Sequence, residues 1–375
     1  MRKYTKTLEI VLIISLILHL RMLWYQWDQI MSGSGDFVAY YTAGKILNSA
    51  NFHELADFNA HRLYQEQFAL PGQTEFLPFY HPPYQALLFW PLSYFPYPVA
   101  HLIWSVLTAV QLVCIFACII PFIERDRRLL FGLILIATYP TWLTIVKGQD
   151  SIMSALIMVA VFRSLKFRRE RVGGILLALG LYKPQLVLPL GGIFVFGHLW
   201  QAALSFAVTG LFLTIISLLA VSWNGAIGMV STLGTMITEG SLEHPILMPN
   251  LRGLVDTLLS PLGVTGVTTI ILAGTISLLL YVGCLALCKD TFNVDRPSFD
   301  LQFSFVIVTT LLINPHSHAY ELVLLSFALI LLFNCVLQQT TTRHFRITFL
   351  TVLFIFCIPI IPNVIVSYDL MALGA

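Results

Sequence analysis

The sequence predicts an all-α polytopic membrane protein, and three observations carry that expectation. Of the 375 residues, 57% are hydrophobic and only 11% are charged. The mean hydropathy is +0.82. Apolar runs of about 17–25 residues, the length that crosses a bilayer as a helix, recur along the whole chain. This pattern excludes a soluble domain folded around one core. A net charge of +2, with basic residues in short clusters between apolar runs, excludes a nucleic-acid surface and fits cytoplasmic loops.

Taken in order, spans are expected at 7–25, 98–123, 129–146, 150–167, 172–183, 184–199, 201–222, 262–288, 299–313, 319–337 and 346–365, about 10–12 helices in a single domain, 1–375. The 172–199 region reads as two short spans or one broken helix, because Pro184 and Pro189 interrupt it and Lys183 sits at the break. Met1-Arg2-Lys3 before the first run imitates a signal peptide. No small-residue cleavage site follows and the run is long, so a retained anchor is expected.

Basic residues set the expected orientation. With a cytoplasmic N-terminus and alternating spans, that side holds Arg2, Lys3, Lys6, Arg125, Arg127, Arg128, Arg163, Lys166, Arg168, Arg169, Arg171, Lys289, Arg296, Arg343 and Arg346. These are fifteen of the 21 Lys and Arg, in line with the positive-inside tendency. The protein then sits multi-pass in the plasma (inner) membrane. The large loops 26–97 and 223–261 share the non-cytoplasmic face with the turns 147–149 and 314–318.

Loop 26–97 carries its own helical signals. Phe37, Tyr40, Tyr41, Ala43 and Leu47 have helical spacing over 36–49, with Asp36 at the N-cap position. A second amphipathic helix is expected over 54–69. The apolar stretch after Tyr80-His81-Pro82-Pro83-Tyr84 holds only about a dozen residues between prolines, too short to span, so it reads as interfacial or re-entrant. The cysteines (Cys114, Cys118, Cys284, Cys288, Cys335, Cys357) all lie in apolar stretches without His or acidic neighbours and read as packing residues.

Polar residues in so apolar a chain are the candidates for chemistry. Asp36 could cap the helix that follows it, or act as a base or acceptor for a sugar hydroxyl at the membrane surface. Lys147 and Gln149, in the tight turn Lys147-Gly148-Gln149-Asp150, could bind phosphate or sugar hydroxyls; a snorkelling lysine before a helix-starting aspartate is the plainer reading. Lys183, at a proline break in an apolar region, costs several kcal/mol unless paired or hydrated, and an anionic phosphate would satisfy it. Snorkelling is the alternative for this lysine too.

Asn314-Pro315-His316-Ser317-His318-Ala319-Tyr320-Glu321 is the densest polar cluster of the C-terminal half. Its two histidines lack a third ligand at helical spacing, so they suit hydrogen bonding to a sugar phosphate better than metal; a polar turn without function is the other reading. Glu243-His244-Pro245 and Asn250-Leu251-Arg252-Gly253 close the 223–261 loop, and Arg252 could clamp a phosphate through both arms of its guanidinium. Gly-rich phosphate loops, nucleophile elbows, HExxH and CxxC are absent from the sequence.

Five of these islands, in this order, resemble the GT-C glycosyltransferases of family 87, the polyprenyl-phosphate-mannose-dependent α-mannosyltransferases. They are Gly-Asp-Phe with Tyr-Tyr-Thr-Ala-Gly (35–44), His-Pro-Pro-Tyr to Trp-Pro-Leu (81–92), Lys-Gly-Gln (147–149), Leu-Tyr-Lys-Pro-Gln (181–185) and Asn-Pro-His-Ser-His-Ala-Tyr-Glu (314–321). The resemblance implies a GT-C-type fold with juxtamembrane helices in the first large outer loop, a lipid-phosphate sugar donor and transfer with inversion. Asp36 matches the catalytic aspartate. His316 and His318 match the C-terminal histidine motif, which departs from the usual form by reading Ser317-His318-Ala319-Tyr320.

The expected function is transfer of a hexose, mannose by default, from a polyprenyl-phosphate donor to a lipid-linked glycan or other acceptor among the membrane lipids. Asp36 would deprotonate or orient the acceptor; His316 or His318 is the alternative base, and all three are the catalytic candidates. Lys183, Arg252, Lys147 and Gln149 would hold the donor phosphate with help from His318, so a metal or other cofactor is dispensable. Tyr40, Tyr41, His81 and Tyr320 would contact substrate. A non-enzymatic lipid or lipid-glycan transporter, with Asp36 purely a cap, is the alternative, and an inactive scaffold of an envelope complex is a third.

Overall fold

The computed structural model describes residues 2–33, 35–68, 76–239, 248–289, 292–296 and 298–338. The expected span at 346–365, Cys357, Arg343, Arg346 and Glu243-His244-Pro245 lie outside the described residues. Within them the chain is all α, as expected, with no strand.

Helix α1 (Arg2–Tyr25) is followed by the short α2 (Trp27–Met31) and then by three helices of the first loop: α3 (Phe37–Asn48), α4 (Phe58–Gln65) and α5 (Pro83–Phe89). Helix α6 (Tyr97–Ile119) leads to α7 (Arg128–Ala137) and α8 (Tyr139–Lys147), then α9 (Ser151–Lys166), α10 (Glu170–Leu179) and α11 (Pro184–Phe196). The remainder is α12 (Trp200–Glu239), α13 (Leu251–Leu259), α14 (Val267–Cys288), α15 (Phe299–Ile313) and α16 (Val323–Gln338).

Four of these helices are long and apolar enough to cross a membrane: Lys6–Tyr25, Tyr97–Phe122, Trp200–Ser231 and Val267–Cys288. A fifth is gained if α7 and α8, bent by 44° at the break before Pro140, count as one span. Among the described residues that is fewer than the ten spans expected there. The expected segments exist as helices, but several central ones are short: α10 has 10 residues and α11 has 13, about 15 and 20 Å at 1.5 Å per residue. A hydrocarbon core is about 30 Å thick.

Close approaches at glycines reveal how the short helices run. Gly174 of α10 faces the backbone of Ala202, and Gly210 faces Leu181, so α10 and α12 run parallel. Gly191 of α11 faces Phe206, so α11 turns back beside α12. The 172–199 region is therefore a short helical hairpin with Lys183 at its tip. Proline at the start of α11 suits that tip, because its missing N–H falls where a helix has no acceptor to offer.

Ion pairs mark one end of the bundle. Lys166 Nζ lies 2.7 Å from Asp300, Arg168 pairs with Asp295, and Arg127 pairs with Glu124 at 2.7 Å. The opposite end carries the turns at 147–150, 180–183 and 314–322. Exposed aromatics Trp24, Tyr25, Trp90, Tyr94 and Trp223 gather around that second end, as side chains at a membrane–water boundary do.

Over the recessed tips sits the first loop. Helix α3 is almost wholly buried, and Phe37, Tyr40, Tyr41, Phe79, Phe89, Tyr97 and Trp104 form a separate aromatic core. Ring pairs such as Tyr40–Phe89, stacked at 4.7 Å, and Tyr41–Tyr97, edge-on at 5.3 Å, hold it. The second expected loop helix divides into a 3-10 turn, Phe52–Ala56, and α4, whose N-terminus Asp57 caps by accepting from the Asn59 N–H. The stretch read as interfacial is α5 plus a 3-10 turn at Pro91–Tyr94, with Leu87, Leu88 and Trp90 outward. The cysteines within the described residues are free thiols.

Candidate active site

The site forms where the 147–150 turn meets the start of α3. Helix α8 ends on Gly148 in the left-handed region (φ 66°), and the Gln149 N–H bonds back to the Thr144 carbonyl, so the helix is closed by a glycine C-cap. Any side chain at Gly148 would lie 2.6 Å from Phe37 Cβ, and one at Gly35 would lie 2.8 Å from the Lys147 carbonyl oxygen. Glycines at these two positions let the turns press together. That approach places Asp36 against Gln149.

Asp36 occupies the N-cap position of α3, as expected, but its carboxylate makes no capping hydrogen bond. It turns instead to Gln149, whose Nε2 donates to Oδ2 at 2.8 Å. Gln149 Oε1 accepts from the Tyr40 hydroxyl at 2.7 Å. Burial, with Asp150 close by, holds the Tyr40 phenol well above its ordinary value, so it stays a donor. Asp36 is half-buried.

Asp150 is fully buried and starts α9 without capping it. One oxygen lies 2.7 Å from Lys183 Nζ, and the other accepts from Gln85 Nε2 at 2.6 Å. Lys183 also reaches Glu321 at 3.5 Å and Ser151 Oγ at 3.2 Å. Glu321 in turn accepts from Asn314 Nδ2 at 2.8 Å, and the Asn314 carbonyl accepts from Asn250 Nδ2 at 2.8 Å. The cost of a lysine in an apolar region is thus met by two buried carboxylates of the protein. Its protein partners are Asp150, Glu321 and Ser151. Sequence reasoning named Lys183 but missed Asp150, Gln85, Glu321, Asn314 and Asn250 as its setting; the available signal was the lysine's need for a partner.

His81 lies beside this network, its ring 5.5 Å from Tyr40 and 6.1 Å from Tyr182. Nδ1 is 3.0 Å from the Tyr182 carbonyl. A carbonyl only accepts, so Nδ1 carries the proton and Nε2 keeps its lone pair. Burial lowers the pKa of His81 and keeps the ring neutral.

Across the site, His316 and His318 bring their Nε2 atoms within 2.8 Å, and His318 stacks on Tyr320 at 4.8 Å. Tyr320 lies under Lys183, 5.5 Å from Nζ, and its carbonyl accepts from Thr144 at 3.3 Å. Arg252 leans on the same loop through the Pro315 carbonyl at 3.4 Å, while its Nε is buried without a partner. Lys147 is exposed next to Asp36. Tyr41 faces away, donating to the Phe95 carbonyl at 2.7 Å. Thus Asp36, Tyr40, His81, Lys147, Gln149, Lys183, Arg252, His316, His318 and Tyr320 share one end of the bundle, and Tyr41 belongs to the aromatic core.

A family model, glycosyltransferase family 87, matches residues 79–315, well over half of the chain. The chain belongs to this family. As a member of glycosyltransferase family 87 built of apolar helices, it is a membrane glycosyltransferase and acts on a donor and an acceptor. The match covers His81, Lys147, Gln149, Lys183 and Arg252; Asp36 and Tyr40 precede it, and His316, His318 and Tyr320 follow it. No curated protein and no solved structure matches the chain.

Proposed function

We propose that this glycosyltransferase moves a hexose, mannose by default, from a polyprenyl-phosphate donor to a lipid-linked glycan or other acceptor, with inversion. The reaction takes place on the non-cytoplasmic face of the plasma (inner) membrane. The observation that carries the reading is Asp36: a half-buried carboxylate, relieved of helix capping, with Gln149 on one oxygen and no protein donor on the other among the described residues.

In the proposed step the acceptor hydroxyl oxygen attacks the anomeric carbon and its proton passes to the open oxygen of Asp36. The bond from that carbon to the phosphate oxygen breaks, and the lipid phosphate leaves with the electron pair. A leaving group already anionic needs cations rather than an acid. Arg252, with its unpartnered Nε, and exposed Lys147 supply them, aided by the His316–His318 pair. Lys183 serves as the internal counter-ion of the site. His81 offers its Nε2 lone pair to a sugar hydroxyl, and the Tyr320 ring, stacked on His318 and under Lys183, lines the site beside it. The recessed site, at the end ringed by aromatics, suits substrates whose head groups lie just above the bilayer.

Purified protein in vesicles, offered labelled mannose either on polyprenyl phosphate or on a nucleotide, tests the donor. Transfer from the lipid-linked sugar alone is expected. Transfer from the nucleotide sugar alone would overturn the proposed donor.

A further inference from the structure

Every residue of the 147–150 turn is held by a different partner. The Lys147 carbonyl bears on Gly35, and Gly148 packs on Phe37. The Gly148 carbonyl accepts from Trp104 Nε1 at 2.9 Å. Gln149 bonds both Asp36 and Tyr40. Asp150 is locked by Lys183 and Gln85. A four-residue turn needs no such anchorage to reverse a chain. The arrangement makes sense if something on the turn has to be held still, and the side chain it presents to Asp36 is Gln149.

Chemistry fixes the orientation of that amide. An ionised Asp36 only accepts, so the NH2 group must face it, and Oε1 must face Tyr40. Tyr40 must then donate, as its raised phenol allows. With both ends of the amide engaged, Oδ2 of Asp36 is pinned. Oδ1 has no protein donor among the described residues and is left for an incoming group.

We infer that Gln149 is a positioning residue: clamped by Tyr40 and mounted on the turn that the buried Lys183–Asp150 pair anchors, it aims the open oxygen of Asp36 at the acceptor hydroxyl. The inference rests on Asp36 acting as the base. It replaces the expectation that Gln149 meets the donor phosphate.

The test compares Gln149→Met, Tyr40→Phe and Asp36→Asn with wild type, using labelled polyprenyl-phosphate mannose in vesicles. Positioning predicts that Gln149→Met lowers kcat about 100-fold, the scale of a 1 Å misplacement, while the KM for donor stays within about twofold. Tyr40→Phe, which frees the far end of the amide with minimal change of shape, gives the same pattern at smaller amplitude and decides the matter if Gln149→Met does not fold. Added to Asp36→Asn, either change costs little more, since the group being aimed is gone. A raised donor KM at unchanged kcat would place Gln149 on the phosphate and overturn the inference. So would full activity of both single variants while Asp36→Asn is inactive. An active Asp36→Asn would instead remove the base reading on which the inference stands.

Discussion

Lys183 Nζ lies 2.7 Å from Asp150 Oδ1, joining the tip of the α10–α11 hairpin to the start of α9 in a place where both side chains are buried. Glu321 completes the group from the far end of the chain. Breaking a buried pair leaves a charge without compensation and costs about 3–5 kcal/mol. Lys183→Met should therefore lower the thermal stability of the detergent-solubilised protein sharply. The triple change Lys183→Met, Asp150→Asn, Glu321→Gln, with no charge left, should recover part of that loss. If the single and triple variants melt alike, the charges are not what holds these helices.

The two close-packed glycines separate stability from activity. Gly148→Ala must place a Cβ 2.6 Å from Phe37 Cβ on a left-handed backbone (φ 66°), a cost of about 1–3 kcal/mol, and should melt earlier. Gly35→Ala meets the Lys147 carbonyl at 2.8 Å. It should displace the adjacent Asp36 and depress kcat about tenfold or more. Melting curves and turnover, measured together, check both.

His61 gives the first loop a pH dependence. Its Nδ1 accepts from the Phe79 N–H at 3.2 Å, and burial lowers its pKa from 6.5 to about 4. A depressed folded value means the stabilisation is complete above pH 6.5 and is lost as pH falls from there toward 4, by at most about 3.5 kcal/mol. His61→Gln, whose carbonyl oxygen can accept from Phe79 without titrating, should flatten that decline. Identical slopes for variant and wild type between pH 6.5 and 4 would contradict it.

Arg252 is expected to act in binding. Arg252→Lys keeps the charge but loses the planar fork, and Arg252→Gln loses both. The donor KM should rise in the order wild type, Lys, Gln, by about 10- to 150-fold at the last step for a lost charged hydrogen bond of roughly 1.5–3 kcal/mol. Unchanged donor kinetics would take Arg252 out of the phosphate site.

Much of the fold could be read from the chain itself. Hydropathy alone located α15 at 299–313 and α9 within one residue at each end, because long apolar runs bounded by charges leave little choice. The start of α14 was misplaced, at 262 rather than Val267, since Ser260–Leu262 forms a 3-10 turn and Gly263 and Gly266 take positive φ before the helix can begin. Alternation of helices also brought the polar motifs to one end, as expected. Their pairing was not legible. Any of 19 acidic residues could have met Lys183, and the choice of Asp150 and Glu321 depends on how three helices pack. Gln149 and Asp36 are 113 positions apart, and the close glycine contacts that let the two turns meet are invisible to periodicity.

Asp36 is the residue on which the functional account turns. Asp36→Asn keeps the shape and the N-cap position, and the wild-type side chain makes no capping bond to lose; the amide cannot take a proton. The decisive measurement is sugar transfer from radiolabelled polyprenyl-phosphate mannose to membrane lipid acceptors, wild type against Asp36→Asn, with melting curves recorded on the same samples. The account predicts an unchanged melt and a loss of transfer of about 100-fold or more. Undiminished transfer by the folded variant would contradict it.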